Sequence, residues 1–194
     1  MQVATEVATP RQAEVALKYG IDILWIGART TVSPFMIQEI AEVLRGGDTP
    51  VMLKNPVCPD LELWTGAVER LLDIDLKQLS LIHRGLDAAP YRNIPCLEMA
   101  LEMKKRFPGL PLFCDPSHIC GKRGLLYGIC AEALRLDMDG LFIESHCCPE
   151  VALSDAAQQL TPEALGKMFE NLGIRQVENN KLHLGCEILI QRKG

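Results

Sequence analysis

Three basic residues stand where short apolar runs of this sequence end. Arg29, Lys54 and Arg84 close three consecutive runs. Apolar runs that alternate with helical stretches are typical of buried parallel strands, whose carboxyl ends share one edge of a sheet. Buried cations without partners are costly, so the trio predicts a bound anion, and phosphate suits both arginine and lysine. The alternative is three separate salt bridges to carboxylates such as Glu6 or Asp115.

A second group of residues offers metal ligands. His118 follows the fifth apolar run, Glu144 ends the sixth, and Asp155 lies in the loop beyond. One imidazole and two carboxylates form a donor set that suits Mn²⁺, Fe²⁺ or Zn²⁺. Three protein ligands leave positions open for a fourth protein group, water and a substrate oxygen. The set therefore predicts a catalytic metal centre rather than a structural one.

Other polar residues allow two interpretations each. His146, just past the sixth run, would either orient a ligand or hydrogen-bond a neighbouring loop. His83 and Arg84 are consecutive in their strand, so their side chains point to opposite faces of the sheet, which favours packing of His83 against a helix. Lys122 and Arg123 would either reach a second phosphate or lie in solvent.

The spacing of the apolar runs predicts the fold that positions these residues. Six runs begin near residues 2, 23, 50, 78, 110 and 140, and each step has the length of one strand–loop–helix unit. Pro10 and Pro34 open two of the predicted helices, and the others extend over 61–72, 96–106, 124–136 and 162–172. We predict an α/β protein, a (β/α)8 TIM barrel represented by six units, because the polar residues then share its catalytic rim.

Length and composition exclude several classes of protein. The chain has 194 residues, 48% of them hydrophobic, which is enough for one domain with a sizeable core. Its net charge of −5 argues against a nucleic-acid partner, and no apolar stretch approaches a membrane span. The eight cysteines are irregularly spaced, which favours reduced thiols in a cytoplasmic protein. The adjacent pair Cys147 and Cys148 would bind a soft metal or oxidise in the alternative interpretation.

Several segments resemble motifs of the 3-deoxy-D-arabino-heptulosonate 7-phosphate (DAHP) synthases. They keep the family's order and extend from residue 2 to about residue 172. These segments are Ile26–Arg29, Leu53–Lys54, His83–Gly85, Asp115–Arg123, Ile143–His146 and Ala152–Gln158. The sequences at 53–57 and 144–147 are most similar to those of the family branch in which a chorismate mutase domain follows the barrel.

The resemblance implies a class I, metal-dependent transferase of the shikimate pathway to aromatic amino acids. Phosphoenolpyruvate and erythrose 4-phosphate would condense to DAHP and phosphate, in a homo-oligomer. Arg29, Lys54 and Arg84 would bind the phosphate and carboxylate of phosphoenolpyruvate. Three of the four ligands to the divalent metal (Mn, Fe or Zn) would be His118, Glu144 and Asp155. Lys54 and His118 are the residues expected to act in catalysis.

The sequence departs from the family's pattern in two ways. His83 stands where an acidic residue usually precedes Arg-Gly, which would change how Arg84 is oriented. The family's first two strand–helix units, with a cysteine metal ligand and a Lys-Pro-Arg-Thr substrate loop, have no counterpart. We therefore predict that residues 1–174 are strands three to eight of the barrel and that 175–194 are a linker and tail. The mutase domain would be absent and the isolated chain weakly active or inactive.

Three other functions remain open at this point. A 3-deoxy-D-manno-octulosonate 8-phosphate synthase shares the barrel and the chemistry. A non-catalytic truncated barrel would fold by pairing with another chain, because an open barrel exposes strand edges. A different metal-dependent aldolase would use the same fold, since fold alone does not determine function.

Overall fold

The computed structural model describes residues 2–88, 91–174 and 189–191, in two compact units, 1–112 and 113–194. The strands of the first unit are β1 (Ala4–Val7), β2 (Ile23–Ile26), β3 (Val51–Lys54), β4 (Leu79–His83), β5 (Leu86–Ala88) and β6 (Tyr91–Ile94). Its helices are α1 (Pro10–Lys18), α2 (Ala28–Thr31), α3 (Pro34–Leu44), α4 (Leu61–Leu72) and α5 (Leu97–Arg106). β7 (Leu112–Cys114) begins at the last residue of the first unit and continues into the second. The second unit also holds β8 (Gly140–Glu144), β9 (Leu189–Gln191), α6 (Pro116–Cys120), α7 (Leu126–Arg135) and α8 (Pro162–Asn171).

In the first unit, β1, β2, β3 and β4 lie side by side in a parallel sheet. Every residue of β2, β3 and β4 is buried, as expected for strands covered on both faces. Lys54 pairs with Ile82, so the two side chains point to the same face of the sheet. Two residues further on, Arg84 continues that face, while His83 points to the other.

The helices of the first unit begin where the sequence predicts. Pro10 and Pro34 occupy the first turns of α1 and α3, and Thr9 and Ser33 cap those helices with their side-chain oxygens. Asp60 caps α4 in the same way. Each cap satisfies a backbone amide that the helix itself leaves unpaired, which fixes where the helix starts after its strand.

The antiparallel hairpin β5–β6 was not predicted from the sequence. Leu86 pairs with Ile94, and the register shifts between Leu86 and Ala88. Its strands are only three and four residues long and contain polar residues, so they do not form an apolar run that would signal a strand. The hairpin lies between β4 and α5, where a plain loop was expected.

The second unit is built on the parallel pair β7 and β8. Phe113 pairs with Gly140, and a Cβ added at Gly140 would lie 2.5 Å from the Phe113 ring. Only glycine therefore permits this approach of side chain to backbone. Residues 189–191 of the predicted tail form β9, which pairs in parallel with β8. The rest of that tail, 175–188 and 192–194, lies outside the described residues.

Two local differences from the predicted elements affect the candidate site. β2 ends at Ile26, and Arg29 lies in the short helix α2 rather than on the strand. The turn is fixed by Thr31, whose hydroxyl shares its one proton between the carbonyl oxygens of Gly27 (3.1 Å) and Lys54 (2.9 Å). The predicted helix 124–136 begins at residue 126, after a separate α6 and a 3₁₀ turn at 123–125. No helix among the described residues is long and apolar enough to cross a membrane.

Candidate active site

Lys54 and Arg84 are the two buried cations of the predicted trio. They are 7% and 6% exposed and lie on the same face, at the carboxyl ends of neighbouring strands. The guanidinium of Arg84 donates from Nη1 to Oδ1 of Asp87 at 2.7 Å. Arg29, by contrast, is exposed on α2. Of the three predicted cations, two are thus buried and one is open to solvent.

Asn55 joins the ends of β3 and β4, and the sequence analysis missed it. Its side chain is fully buried, and Oδ1 accepts a hydrogen bond from the backbone amide of Arg84 at 2.7 Å. Nδ2 donates to the carbonyl oxygens of Pro56 (2.9 Å) and Gly85 (3.0 Å). These bonds use most of the capacity of the amide group. They hold the backbone of Pro56, Arg84 and Gly85 in place next to the two cations.

His83 packs against a helix, as its place on the strand predicts. The ring is fully buried and stacks on Trp64 of α4, with centroids 6.2 Å apart, and Nε2 lies 2.5 Å from the carbonyl oxygen of Pro95. The residue before Arg84 therefore faces away from the cations. The acidic partner of Arg84 comes instead from Asp87, three residues later.

His118, Glu144 and Asp155 come together in the second unit. One ligand atom from each lies within 4.8 Å of the others, and His118 Nε2 is 4.0 Å from Glu144 Oε1. His118 is on α6, Glu144 ends β8, and Asp155 lies in the loop before α8. Asp155 has a φ of 56°, a left-handed backbone that aspartate tolerates better than most residues.

Asp115 orients the imidazole of His118. Its Oδ1 accepts from the backbone amide of His118 at 3.1 Å, which caps α6, and its Oδ2 lies 2.8 Å from His118 Nδ1. A carboxylate on Nδ1 keeps the proton there and leaves Nε2 available to a metal. From the sequence, Asp115 was expected to be a salt-bridge partner and not a partner of the imidazole. The Asp-x-x-His spacing, which places a histidine three residues after a helix cap, was the signal that could have revealed this pairing.

Glu144 is held by two further groups. Its carboxylate is buried, and Oε2 accepts from Nε2 of Gln158 at 2.9 Å. Its backbone amide donates to the hydroxyl of Ser117 at 2.9 Å. Buried carboxylates require such donors or a cation. Gln158 therefore fixes the orientation of Glu144 within the cluster.

The cluster fits a divalent transition metal. Bonds of about 2.1 Å to nitrogen and oxygen place neighbouring ligand atoms roughly 3.0–3.4 Å apart around one ion. The three donor atoms lie within 4.8 Å of one another, so each side chain would move inward by about 1 Å to bind it. One imidazole backed by a carboxylate, with two further carboxylates, is a donor set for Mn²⁺, Fe²⁺ or Zn²⁺.

His146 and the cysteines contribute no further ligand to this cluster among the described residues. Nδ1 of His146 accepts from the backbone amide of Cys148 at 3.0 Å, which agrees with the loop interpretation. The adjacent Cys147 and Cys148 are exposed free thiols. Burial raises the pKa of Cys120 to about 11 and that of Cys130 to about 12. Such protonated core thiols are unreactive at neutral pH.

The chain belongs to the DAHP synthetase I family, whose model matches residues 1–177. A curated relative, the phospho-2-dehydro-3-deoxyheptonate aldolase of Thermotoga maritima, is 27% identical over 177 residues. The match covers 89% of this chain and 50% of the relative, so the chain spans about half the relative's length.

Two solved structures of proteins from T. maritima share the fold of this chain. The chain matches a crystal structure of the T. maritima aldolase (DAHP synthase) with a TM-score of 0.78 and 25% identity, over 89% of this chain and 50% of that one. A truncated form of the T. maritima 3-deoxy-D-arabino-heptulosonate 7-phosphate synthase matches with a TM-score of 0.75 and 24% identity, over 89% and 64%. The predicted βα units of a TIM barrel are thereby confirmed.

Proposed function

We propose that this chain carries out the DAHP synthase condensation of phosphoenolpyruvate with erythrose 4-phosphate. The observation that carries the proposal is the cluster of His118, Glu144 and Asp155, with Asp115 behind the imidazole, in a chain of this family. A divalent Mn, Fe or Zn ion would bind at these three side chains. When bound, it would polarise the aldehyde carbonyl of erythrose 4-phosphate.

The first unit would bind phosphoenolpyruvate. Lys54 and Arg84 lie buried on one face, and a dianionic phosphate with a neighbouring carboxylate would neutralise them. Asp87 already holds one nitrogen of Arg84, which directs the rest of the guanidinium fork. Arg29, exposed on the short helix α2 that follows β2, would complete the anion site.

The reaction requires the chain to position the two substrates and to supply positive charge near the phosphate. Carbon 3 of phosphoenolpyruvate forms a bond to the aldehyde carbon, water adds at carbon 2, and the C–O bond to phosphate breaks. Lys54 would stabilise the negative charge on the departing phosphate, and His118 would offer Nε2 to the site while Asp115 holds the proton on Nδ1. Asp115 contacts the imidazole of His118 before substrate arrives, so little reorganisation of that ring accompanies the reaction.

Calorimetry and an aldehyde competition test this proposal. The 194-residue protein is titrated with Mn²⁺ and with phosphoenolpyruvate, and phosphate release is followed with erythrose 4-phosphate or arabinose 5-phosphate. We expect both ligands to bind, and the weak turnover predicted for the isolated chain to favour the four-carbon aldehyde. Turnover with arabinose 5-phosphate alone would identify an octulosonate synthase. Failure of a folded chain to bind phosphoenolpyruvate would favour the non-catalytic alternative.

A further inference from the structure

The side chain of Arg123 is 39% exposed, as the solvent interpretation expects, but its guanidinium also bonds to protein. Its Nε donates to the carbonyl oxygen of Gln159 at 2.7 Å, and its Nη2 donates to that of Ala156 at 2.8 Å. Its backbone amide donates to the carbonyl oxygen of Ala157 at 3.0 Å. A side chain that was expected to meet phosphate or solvent is thus bonded to a neighbouring loop.

That loop, residues 154–159, carries one residue of the metal cluster and one residue that supports another, and we call it the ligand segment. Asp155 is one of the three clustered donors, and Gln158 donates to the carboxylate of Glu144. The segment is made of turns and irregular backbone. Its internal bonds join Gln158 N to the Asp155 carbonyl (3.1 Å) and the Gln159 side chain to the Ser154 carbonyl (2.8 Å). The parallel bridge of Leu160 to Ser145 fixes only the end of the segment, so other contacts must position residues 154–159.

Arginine suits this task because of its shape. The planar guanidinium offers several donors in fixed directions, and here two of them reach carbonyl oxygens on either side of Gln158. The remaining nitrogen, Nη1, lies 3.2 Å from Oε1 of Glu150. Lysine would offer a single mobile ammonium in place of this fork.

We propose that Arg123 is a positioning residue that holds the ligand segment so that Asp155 and Gln158 reach the metal cluster. This inference rests on the proposed metal site. Groups that orient metal ligands from behind typically change metal affinity about 10- to 100-fold when they are removed. Arg123 itself would not touch the ion or the substrates.

Isothermal titration with Mn²⁺ tests the inference on the wild type, Arg123→Gln, Arg123→Lys and Arg135→Gln. Arg135 is a matched control, because it forms a two-pronged ion pair with Glu132 on α7, away from the cluster. We expect Arg123→Gln to weaken Mn²⁺ binding about 10-fold or more and Arg123→Lys to recover only part of it. Arg135→Gln should bind Mn²⁺ like the wild type. Equal affinity in Arg123→Gln and wild type would overturn the inference.

Hydrogen exchange separates this inference from the proposed metal site. The amide of Gln158 is bonded inside the ligand segment, so its exchange rate reports how firmly the segment is held. We expect faster exchange in both Arg123 variants without metal, and unchanged exchange in the Arg135 variant. A wild type that binds no Mn²⁺ would contradict the metal site, whereas unchanged exchange would contradict the role of Arg123. If Arg123→Gln does not fold by circular dichroism, Arg123→Lys answers both questions.

Discussion

The carboxylate of Asp115 makes two contacts with separable consequences. One caps α6 through the amide of His118, and the other holds Nδ1 of the same residue. In Asp115→Asn the amide oxygen still caps the helix, but the NH₂ group would face Nδ1 and favour a proton on Nε2. Because Nε2 is the proposed metal-binding nitrogen, we expect Mn²⁺ affinity to fall about 10- to 100-fold with little change in melting temperature.

The matched control for this substitution is Asp60→Asn. Asp60 caps α4 by accepting from the amide of Leu63 at 2.9 Å, and the residue it caps is not a histidine. Titration calorimetry should show unchanged Mn²⁺ binding in this variant. A similar loss of affinity in both variants would show that helix capping, rather than the imidazole, carries the effect.

The buried thiols predict how stability depends on pH. In the folded chain burial raises the pKa of Cys130 to about 12, whereas an unfolded cysteine ionises near pH ~8.5. Above about pH 8.5 the unfolded state therefore binds fewer protons than the folded state, and stability falls as pH rises toward the folded value. We expect the urea unfolding free energy to decrease more slowly from about pH 8.5 to about pH 10 in Cys130→Ala than in the wild type. Cys147→Ala, which removes an exposed thiol, should keep the wild-type slope. Equal slopes in the wild type and Cys130→Ala would contradict the prediction.

At the scale of elements, the strongly patterned segments were predictable and the shortest helices were not. The run predicted to begin near residue 50 and to end at Lys54 is β3, and the predicted helix 61–72 is α4, because a continuous apolar run defines the first and a helical period the second. α2 and α6 are four and five residues long, too short for periodicity to appear. Their positions depend on tertiary bonds, such as that of Thr31 to the carbonyl oxygen of Lys54. Arg29 was assigned to a strand end for that reason.

Asn55 shows how one side chain sets the spacing of two strands. The substitution Asn55→Asp keeps the shape, and one carboxylate oxygen could still accept from the amide of Arg84, but the other would face two carbonyl oxygens. We expect this variant to lose about 2–4 kcal/mol of unfolding free energy and to bind phosphoenolpyruvate more weakly. Urea denaturation and calorimetry measure the two effects. Asn171→Asp, at the exposed end of α8, should change stability by less than about 1 kcal/mol. Equal losses in both variants would count against the proposed role of the buried amide.

Gly140 determines how closely β7 and β8 pack in the second unit. A methyl group there would collide with the buried ring of Phe113. We expect Gly140→Ala to lower the unfolding free energy by about 1–3 kcal/mol. Gly128→Ala adds the same methyl group to α7, where a new Cβ meets nothing within 4 Å, so helix propensity should make it stabilising by up to about 1 kcal/mol. Thermal melts of both variants give the comparison, and a stable Gly140→Ala would show that the ring can move aside.

At the scale of the whole molecule, each unit holds a different part of the proposed chemistry. The cations Lys54 and Arg84 belong to residues 1–112, and the donors His118, Glu144 and Asp155 belong to residues 113–194. The sequence could predict these residues because they follow strands or match family motifs. It could not predict Asn55, Gln158 or Arg123 as their supports. Gln158 and Arg123 end two of the segments that resemble family motifs, but their contacts depend on loop conformations, such as the turns of residues 154–159, that no apolar period indicates.

This division predicts that metal binding and phosphoenolpyruvate binding can be abolished independently of each other. Chelation with EDTA should abolish condensation but leave phosphoenolpyruvate affinity within about threefold of its starting value, because the cations supply most of the charge-assisted contacts. Arg84→Gln should do the reverse, weakening phosphoenolpyruvate binding about 10- to 100-fold while Mn²⁺ affinity stays unchanged. Arg106→Gln is the matched control, because Arg106 pairs with Glu62 on the helices of the first unit. If EDTA weakened phosphoenolpyruvate binding as much as Arg84→Gln, the phosphate would depend on the metal, and the assignment of the anion site to the cations would be wrong.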